Sequence, residues 1–235
     1  ISHKKSNVNR FFEKIYEIVY KLQNALKYSK ILLNSGFRIL YKNGGKSNMQ
    51  KLIGLVRRCV QDYHMIEEGD RIGVGVSGGK DSVALLAFLA ELRKYNDKAF
   101  EVEAVTIDMG LGMDYTPIEK LCEQLDVRFN LVKTEIGPII FEHRKEKNPC
   151  SLCAKMRRGS LHNTAKELGC NKVALGHHFD DVVNTFMLNL FYEGRLGCFQ
   201  PVTYLSRIDL HLIRPMIYMP EKDVRYFASK AELPV

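Results

Sequence analysis

The stretch SGGKDS, residues 77–82, combines the residue types that bind a chain of phosphates. The serine and glycines at its start would expose backbone N–H groups, and a helix beginning after them would point its positive end toward the anion. Lys80 would add a full charge, whereas Asp81 would repel phosphate unless it holds a bridging cation, which indicates Mg²⁺. The stretch therefore predicts a pyrophosphate-binding loop. Its nucleotide-binding residues are Ser77, Gly78, Gly79, Lys80, Asp81 and Ser82.

Two other glycine-rich nucleotide loops agree less well with this part of the chain. Gly73, Gly75 and Gly78 satisfy the dinucleotide pattern G-x-G-x-x-G, but the first two fall inside a predicted strand and not at its end. The Walker A pattern G-x-x-x-x-G-K-[ST] fails, because Val74 occupies its first glycine and Asp81 follows the lysine. A turn that only reverses the chain would need one or two glycines and no charged residues.

A second chemical signal is the pair Cys150 and Cys153. Asn148 followed by Pro149 is a helix start signal, which places both cysteines in the first turn of a helix and on one face. Three cations follow on the same helix: Lys155, Arg157 and Arg158. Together with the N–H groups of the helix start they favour thiolate over thiol. Such thiolates can ligate a metal, carry sulfur or form a disulfide.

A third polar cluster, GHHFDD at residues 176–181, joins a predicted strand to a predicted helix. Asp181 lies where a second carboxylate would help hold Mg²⁺, and the two histidines lie where they would contact phosphate or substrate. Asp180 or Asp181 would also cap the helix by accepting from its first-turn N–H groups. We assign His177 and Asp181 to the nucleotide site.

The segments between these motifs alternate between helix and strand. Strands are predicted, from their runs of apolar residues, at 71–76, 100–108, 127–133 and 172–178. Helices are predicted at 83–95, 117–125, 149–168 and 180–192, after an amphipathic helix that follows Met49. This alternation indicates a Rossmann-like α/β fold, in which a parallel sheet carries helices on both faces.

Ligands of such sheets bind beyond the carboxyl ends of the strands, where the loop at 77–82 is expected. The helix at 180–192 should pack through one apolar face, whose residues are Val182, Val183, Phe186, Met187, Leu190 and Phe191.

The composition suits one α/β domain with a sizeable core, since 46% of the 235 residues are hydrophobic. We find no run of about 18 uncharged apolar residues and no signal-peptide pattern. Six cysteines at this length do not make a dense secreted framework. We therefore expect a cytoplasmic protein without a membrane partner.

The net charge of +8 is unevenly distributed. Residues 1–48 hold ten Lys and Arg against two Glu, whereas the rest of the chain holds 25 basic and 25 acidic residues. We interpret Met49 as the natural start and the preceding segment as an upstream extension that is not native, with a basic RNA-binding arm as the alternative. This divides the chain into an extension at 1–48, a leading helix at 49–70 and a nucleotide-binding domain at 71–235.

SGGKDS also resembles the signature of the PP-loop ATPases, which cleave ATP between its α and β phosphates, and GHHFDD resembles their later motif. With PCSLCAKMRRG at 149–159, the chain from Met49 to Val235 is similar to the tRNA 2-thiocytidine biosynthesis family. The resemblance rests on five collinear blocks: 63–82, 150–159, 165–169, 173–181 and 213–228. Lysidine synthetases share the first two motifs but lack the cysteine pair, and the group that thiolates wobble uridine carries additional paired cysteines.

The resemblance implies a tRNA sulfurtransferase, which uses ATP to adenylate the C2 oxygen of an anticodon-loop cytidine and replaces that oxygen with sulfur. AMP and pyrophosphate would be released. It also implies a 4Fe-4S cluster held by Cys150, Cys153 and a third cysteine shortly after the segment matching 231–235. Because the chain stops at Val235, we interpret it as a truncated reading frame. A lysidine synthetase-like ligase and a truncated remnant that binds ATP or RNA without turnover are the alternatives.

The implied mechanism gives each motif a role. Lys80 and Asp81 act on the phosphates of ATP, Asp81 and Asp181 hold Mg²⁺, and adenine lies near Asp108. Cys150 and Cys153 supply or position the sulfur. The tRNA would contact a basic patch formed by Arg144, Lys145, Lys147, Lys155, Arg157 and Arg158. The other expected partner is a sulfur donor such as a cysteine desulfurase, and a homodimer is left open.

Overall fold

The computed structural model of the protein describes residues 46–143 and 149–235, without the side chains of 46–48, 142 and 143. Residues 1–45 of the basic extension, and Arg144, Lys145 and Lys147 of the basic patch, lie outside the described residues. The described strands are β1 Asp70–Gly75, β2 Phe100–Asp108, β3 Arg128–Lys133, β4 Lys172–Ala174, β5 Val202–Leu205 and β6 Leu210–Ile213. The main helices are α1 Lys46–Asp62, α2 Lys80–Leu92, α3 Thr116–Gln124, α4 Pro149–Glu167, α5 Phe179–Glu193 and α6 Glu221–Lys230. A short turn, Ile136–Pro138, and a π-helical turn, Ile139–His143, follow β3.

In the described part of the chain the strands form one sheet of order β3-β2-β1-β4-β6-β5. Every neighbouring pair is parallel except β5 and β6, which are antiparallel. The predicted parallel α/β sheet is thus confirmed, with an antiparallel edge hairpin that the sequence analysis did not predict. The chain runs outward from β1 to β3 and then returns to the other side of β1. The strand order therefore reverses between β1 and β4, at the point where open α/β sheets bind ligands.

Helices cover both faces of the sheet. On one face, α1, α2, α3 and α6 share a core with β1, to which they contribute Leu52, Leu85, Leu121 and Phe227. Phe227 stacks on Phe88 of α2 with ring centroids 4.1 Å apart. On the other face, α4 packs Leu161 and Ala165 in a second core with Val105 and Val173.

The glycines of β1 are required by helix packing. A Cβ at Gly75 would lie 2.7 Å from Leu161 Cδ2, and a Cβ at Gly73 would lie 3.3 Å from Ala165 Cβ, both on α4. The prediction that Gly73 and Gly75 lie inside a strand is confirmed. Their absent side chains let α4 approach the sheet closely, which is a role unrelated to dinucleotide binding.

Two predicted elements differ from the structure. The strand expected at 172–178 ends at Ala174, because His178 is held at the start of α5, where its N–H donates to Asp181 Oδ2 at 2.8 Å. The apolar face expected to pack α5 into the core is only partly covered by the described residues: Val182 packs against the core, whereas Met187 and Phe191 are 40% and 72% exposed. A helical apolar stripe predicts which side of a helix avoids water, but not which element covers it.

None of the helices in the described ranges combines the length and the apolar character that crossing a membrane requires.

Candidate functional site

The loop at 77–82 connects β1 to α2 at the carboxyl edge of the sheet. Gly78 has a φ of +84°, a backbone conformation that favours glycine. The Ser82 hydroxyl accepts a hydrogen bond from Ser77 N–H at 3.0 Å and donates to the Gly79 carbonyl at 2.9 Å. Ser82 was predicted to donate to phosphate, whereas here its hydroxyl closes the loop on itself. The helix N-cap is Gly79, which has no side chain to cap α2, and the N–H groups of Ser82 and Val83 donate to the Gly79 carbonyl. The N–H groups of Lys80 and Asp81 are therefore the ones that an anion would bind.

Lys80 is held at the start of α2 by two carboxylates. Its Nζ lies 3.0 Å from Asp81 Oδ2 and 3.0 Å from Glu221 Oε1, in the first turn of α6. Burial lowers the pKa of Lys80, but the interactions of its ammonium with the Asp81 and Glu221 carboxylates outweigh burial, so the pKa is raised. The ammonium therefore stays charged. Glu221 is a site residue that the sequence analysis missed, although it lies in the block at 213–228 that carries the family resemblance.

The GHHFDD motif follows β4 and meets the loop directly. A Cβ at Gly176 would lie 3.0 Å from both the carbonyl carbon and the oxygen of Asp81, so the two backbones touch. His178 is buried, and its Nε2 lies 3.8 Å from Asp81 Oδ1. The histidine that faces the loop is therefore His178, whereas the sequence analysis assigned His177 to the nucleotide site.

Both aspartates of the motif cap helices. Asp181 Oδ2 accepts from the N–H of His178 at the start of α5. Asp180 Oδ2 accepts from the N–H of Glu221 at 2.7 Å, and so caps α6 rather than its own helix. The motif thus ties α6 to the nucleotide loop, while the Mg²⁺ role of Asp181 stays a prediction.

His177 points to a different cluster. The centroid of the His177 ring lies 4.8 Å from that of the Phe199 ring. The guanidinium carbon of the buried Arg214 lies 5.0 Å from the centroid of the Phe199 ring. Burial, and then the charge of Arg214, lower the pKa of His177, and Arg158 of α4 adds to the effect. Arg214 and Arg158 therefore place positive charge near His177, and the lowered pKa keeps the His177 ring neutral near pH 7.

Asp108 ends β2, next to β1 in the sheet. Its Oδ1 accepts from the N–H of Gly110 at 3.0 Å, and its carbonyl accepts from the Thr134 hydroxyl at 2.7 Å. Burial and the Asp108 carboxylate raise the pKa of Tyr115. Asp108 lies at the same edge as the loop, and its contact with adenine stays a prediction.

The cysteine pair lies at this edge as well. Helix α4 runs antiparallel to β1, since Ala165 packs near Gly73 and Leu161 near Gly75. Its first turn therefore reaches the carboxyl end of the strands, where Cys153 Sγ contacts Met109 Sδ, one residue past β2, at 3.5 Å. Cys150 is exposed, Cys153 is half-buried, and both are free thiols.

The other cysteines are less suited to ligation or sulfur chemistry. Cys59, Cys122 and Cys170 are buried, and burial raises the pKa of Cys122 to about 12 and that of Cys170 to about 11. Burial also raises the pKa of the half-buried Cys198. All four remain protonated near neutral pH, which leaves Cys150 and Cys153 as the accessible pair.

The donor sets fit the expected metals in part. Asp81 Oδ1 is buried and has no hydrogen-bond partner among the described residues, which suits a cation that also binds phosphate oxygens. Cys150 and Cys153 provide two thiolates three residues apart, as one side of an iron–sulfur cluster requires. The described ranges contain no group of three or more His, Cys, Asp and Glu arranged for a metal ion.

The described part of the basic patch lies on α4, directly after the cysteines. Lys155 and Arg158 are exposed, and Arg157 is half-buried. Arg158 also lies close enough to His162 to lower its pKa, together with burial. These cations border the same edge of the sheet as the loop and the cysteine pair.

The arrangement matches a known class of protein. The profile of a family described as a PP-loop domain matches residues 50–234. The fold and the loop thus define a PP-loop protein, as the resemblance predicted.

Curated relatives narrow the class. A tRNA-cytidine(32) 2-sulfurtransferase from Geotalea uraniireducens is 41% identical over 182 residues, which are 77% of this chain and 72% of the relative. One from Ralstonia pickettii is 40% identical over 187 residues, which are 79% of this chain and 59% of the relative. This chain belongs to the tRNA-cytidine(32) 2-sulfurtransferase family. It spans less than two thirds of the length of the Ralstonia relative.

A solved structure shows the same fold. The U34-tRNA thiolase NcsA from Methanococcus maripaludis, with its [4Fe-4S] cluster, superimposes with a TM-score of 0.64 at 25% identity. The match covers 80% of this chain and 64% of that one.

Proposed function

We propose that the protein is an ATP-dependent tRNA sulfurtransferase that replaces the C2 oxygen of cytidine 32 with sulfur. One observation carries the proposal: the PP-loop, which follows β1, and the accessible cysteine pair, which contacts the residue after β2, lie at the same edge of the sheet. An activating nucleotide and a sulfur-handling group would thus meet one substrate base. The names of the curated relatives supply the target position.

The activation step uses the loop and Lys80. The loop and the start of α2 bind the phosphates of ATP through backbone N–H groups. The C2 oxygen of cytidine attacks the α-phosphorus, the bond between the α and β phosphates breaks, and pyrophosphate leaves. Lys80 offsets the negative charge that builds on the phosphates during this step. Asp81, with the help of Asp181, would hold Mg²⁺, which would supply positive charge to the phosphates.

The second step uses the cysteine pair. Sulfide, released from the donor's persulfide by a two-electron thiol reductant, attacks C2 of the adenylated base, the C2–O bond breaks, and AMP leaves with the oxygen. Cys150 and Cys153 lie at the sheet edge where that base must be held, and their exposure gives a sulfur donor access. A 4Fe-4S cluster held by these two thiolates would supply or position the incoming sulfur. A cysteine desulfurase is the class of donor that we propose.

The substrate tRNA would lie along α4. Lys155, Arg157 and Arg158 lie on α4 after the cysteine pair, and the predicted patch adds Arg144, Lys145 and Lys147. Arg214, which lies close enough to Arg158 and His177 to affect their electrostatics, adds a cation near the GHHFDD motif. Contacts of this kind would bind the phosphates of the RNA.

The test is to incubate the protein with unmodified tRNA, ATP, Mg²⁺, reconstituted iron–sulfur cluster and a cysteine desulfurase with cysteine. Nucleoside mass spectrometry should find 2-thiocytidine, and pyrophosphate should be released in a tRNA-dependent manner. The variant Cys150→Ser with Cys153→Ser should form no 2-thiocytidine. A lysine adduct on cytidine would instead identify a lysidine synthetase-like ligase, and binding of ATP or tRNA without pyrophosphate release would identify a non-catalytic remnant.

A further inference from the structure

We propose that Glu221 is a positioning residue, which aims the Lys80 ammonium at the phosphates of ATP. This inference rests on the proposed function of the loop as the ATP site. Glu221 stands in the first turn of α6, far from the loop in sequence, and its Oε1 lies 3.0 Å from Lys80 Nζ. No motif that we recognised in the sequence assigns it a role.

The number of donors on an ammonium group explains how Glu221 acts. A lysine ammonium has three N–H donors arranged about the nitrogen. Lys80 Nζ donates a hydrogen bond to Asp81 Oδ2 at 3.0 Å and forms an ion pair with Glu221 Oε1 at 3.0 Å. The two carboxylates restrict the position of the ammonium before the ligand arrives and leave it a further N–H donor for a phosphate. A charged donor that is oriented in advance needs no rearrangement when negative charge develops.

Glu221 is itself held from two sides. The guanidinium of Arg225, one helical turn later, donates to Glu221 Oε1 through Nη2 at 2.8 Å and through Nε at 3.2 Å. The backbone N–H of Glu221 donates to Asp180 Oδ2 at 2.7 Å. Asp180 belongs to the GHHFDD motif, whose Gly176 touches the backbone of Asp81. The GHHFDD motif therefore contacts both the nucleotide loop and Glu221, and it fixes the position of the Glu221 carboxylate relative to that loop.

The competing interpretation is that Glu221 only stabilises the start of α6. A carboxylate in the first turn of a helix favours the helix whatever it contacts, through the helix dipole. Asp223 stands in the same first turn, and no ion pair joins its carboxylate to another described residue. The variant Asp223→Asn therefore removes the same charge from the same helix end and serves as a matched control.

The decisive experiment is a double-mutant cycle on the affinity for ATP with Mg²⁺, measured by isothermal titration calorimetry. The four proteins are the wild type, Glu221→Gln, Lys80→Ala and the double variant. If Glu221 acts through Lys80, Glu221→Gln should weaken binding by about 5- to 10-fold when Lys80 is present and by less than about 2-fold when it is absent. Asp223→Asn should leave the affinity within about 2-fold of the wild type.

A second variant tests the inference if the glutamine of Glu221→Gln disturbs folding. Glu221→Asp keeps the charge at the helix start but shortens the side chain by one methylene, so it should still weaken ATP binding. The kinetics of pyrophosphate release with tRNA give a further readout. In Glu221→Gln, kcat should fall by a larger factor than the KM for ATP rises. A role of Glu221 confined to stabilising α6 would not produce this result.

Equal losses of affinity in the presence and absence of Lys80 would overturn the inference, and so would a loss in Asp223→Asn equal to that in Glu221→Gln. These results differ from a failure of the proposed function. If the wild-type protein bound no ATP, the assignment of the loop itself would be wrong.

Discussion

Gly176 and Asp81 lie in direct backbone contact, although they belong to different motifs: Gly176 follows β4, and Asp81 lies in the first turn of α2. A Cβ at position 176 would come within 3.0 Å of the Asp81 carbonyl group and 3.1 Å of the Ser82 nitrogen. Neither side of this contact is a flexible side chain, so a larger residue must displace backbone. The nucleotide loop therefore depends on a glycine that lies outside it.

Substitution of Gly176 by alanine should damage the loop and the fold together. We expect a loss of about 1–3 kcal/mol in the free energy of unfolding and at least a tenfold fall in tRNA-dependent pyrophosphate release. Urea unfolding and a pyrophosphate assay measure the two effects. Gly54→Ala is the matched control, since a Cβ there meets nothing within 4 Å in α1. Wild-type pyrophosphate release by Gly176→Ala would show that the contact is not needed.

Lys80→Ala should abolish pyrophosphate release and leave the protein folded. Lys80 stands at the surface beside two carboxylates and contributes no side chain to the core, so its loss removes charge from the site but no packing. Circular dichroism and thermal unfolding check the fold. The control is Lys222→Ala, which removes an exposed lysine from the first turn of α6. Pyrophosphate release at the wild-type rate by Lys80→Ala would end the assignment of a PP-loop mechanism.

Gly75→Ala tests whether the glycines of β1 serve packing or nucleotide binding. The new methyl would lie 2.7 Å from Leu161 Cδ2, so we expect a destabilisation of about 1–3 kcal/mol in urea unfolding. The affinity for ATP should stay within about twofold of the wild type in the folded protein. Combining Gly75→Ala with Leu161→Ala should cost less than the sum of the single changes, because the second change opens space for the methyl. An additive cost would contradict this explanation of the glycine.

The cysteines should differ sharply in reactivity. Burial raises the pKa of Cys170 to about 11, so at pH 8 only about one molecule in a thousand carries that thiolate, and Cys122, at about 12, carries less. Cys150 and Cys153 are accessible at a helix start. Brief treatment of metal-free protein with iodoacetamide, followed by peptide mass spectrometry, should therefore label these two first. Faster labelling of Cys122 or Cys170 would contradict the described burial.

The sequence was most informative where a property depends on neighbours along the chain. Local patterns of apolar residues, glycine and proline predict a helix after the glycines of SGGKDS, the strand at 71–76 and the helix that begins with Pro149 and Cys150. Alternation of such elements then restricts the fold to a parallel sheet with covering helices. The family resemblance added the chemistry, since a loop pattern alone does not identify the reaction.

The tertiary structure alone decided which residues meet across the sheet edge. Glu221 reaches Lys80, and Asp180 caps a helix other than its own, because α6 lies beside the loop after the chain has crossed the sheet. His178 rather than His177 faces Asp81 because the strand ends at Ala174 and Asp181 holds the N–H of His178. Contacts of this kind arise from the packing of segments far apart in sequence, so local sequence patterns do not predict them. The partly exposed apolar face of α5 shows the opposite limit. Its helical pattern is evident from the sequence, but whether the face is buried depends on which element packs against it, and the pattern does not predict that element.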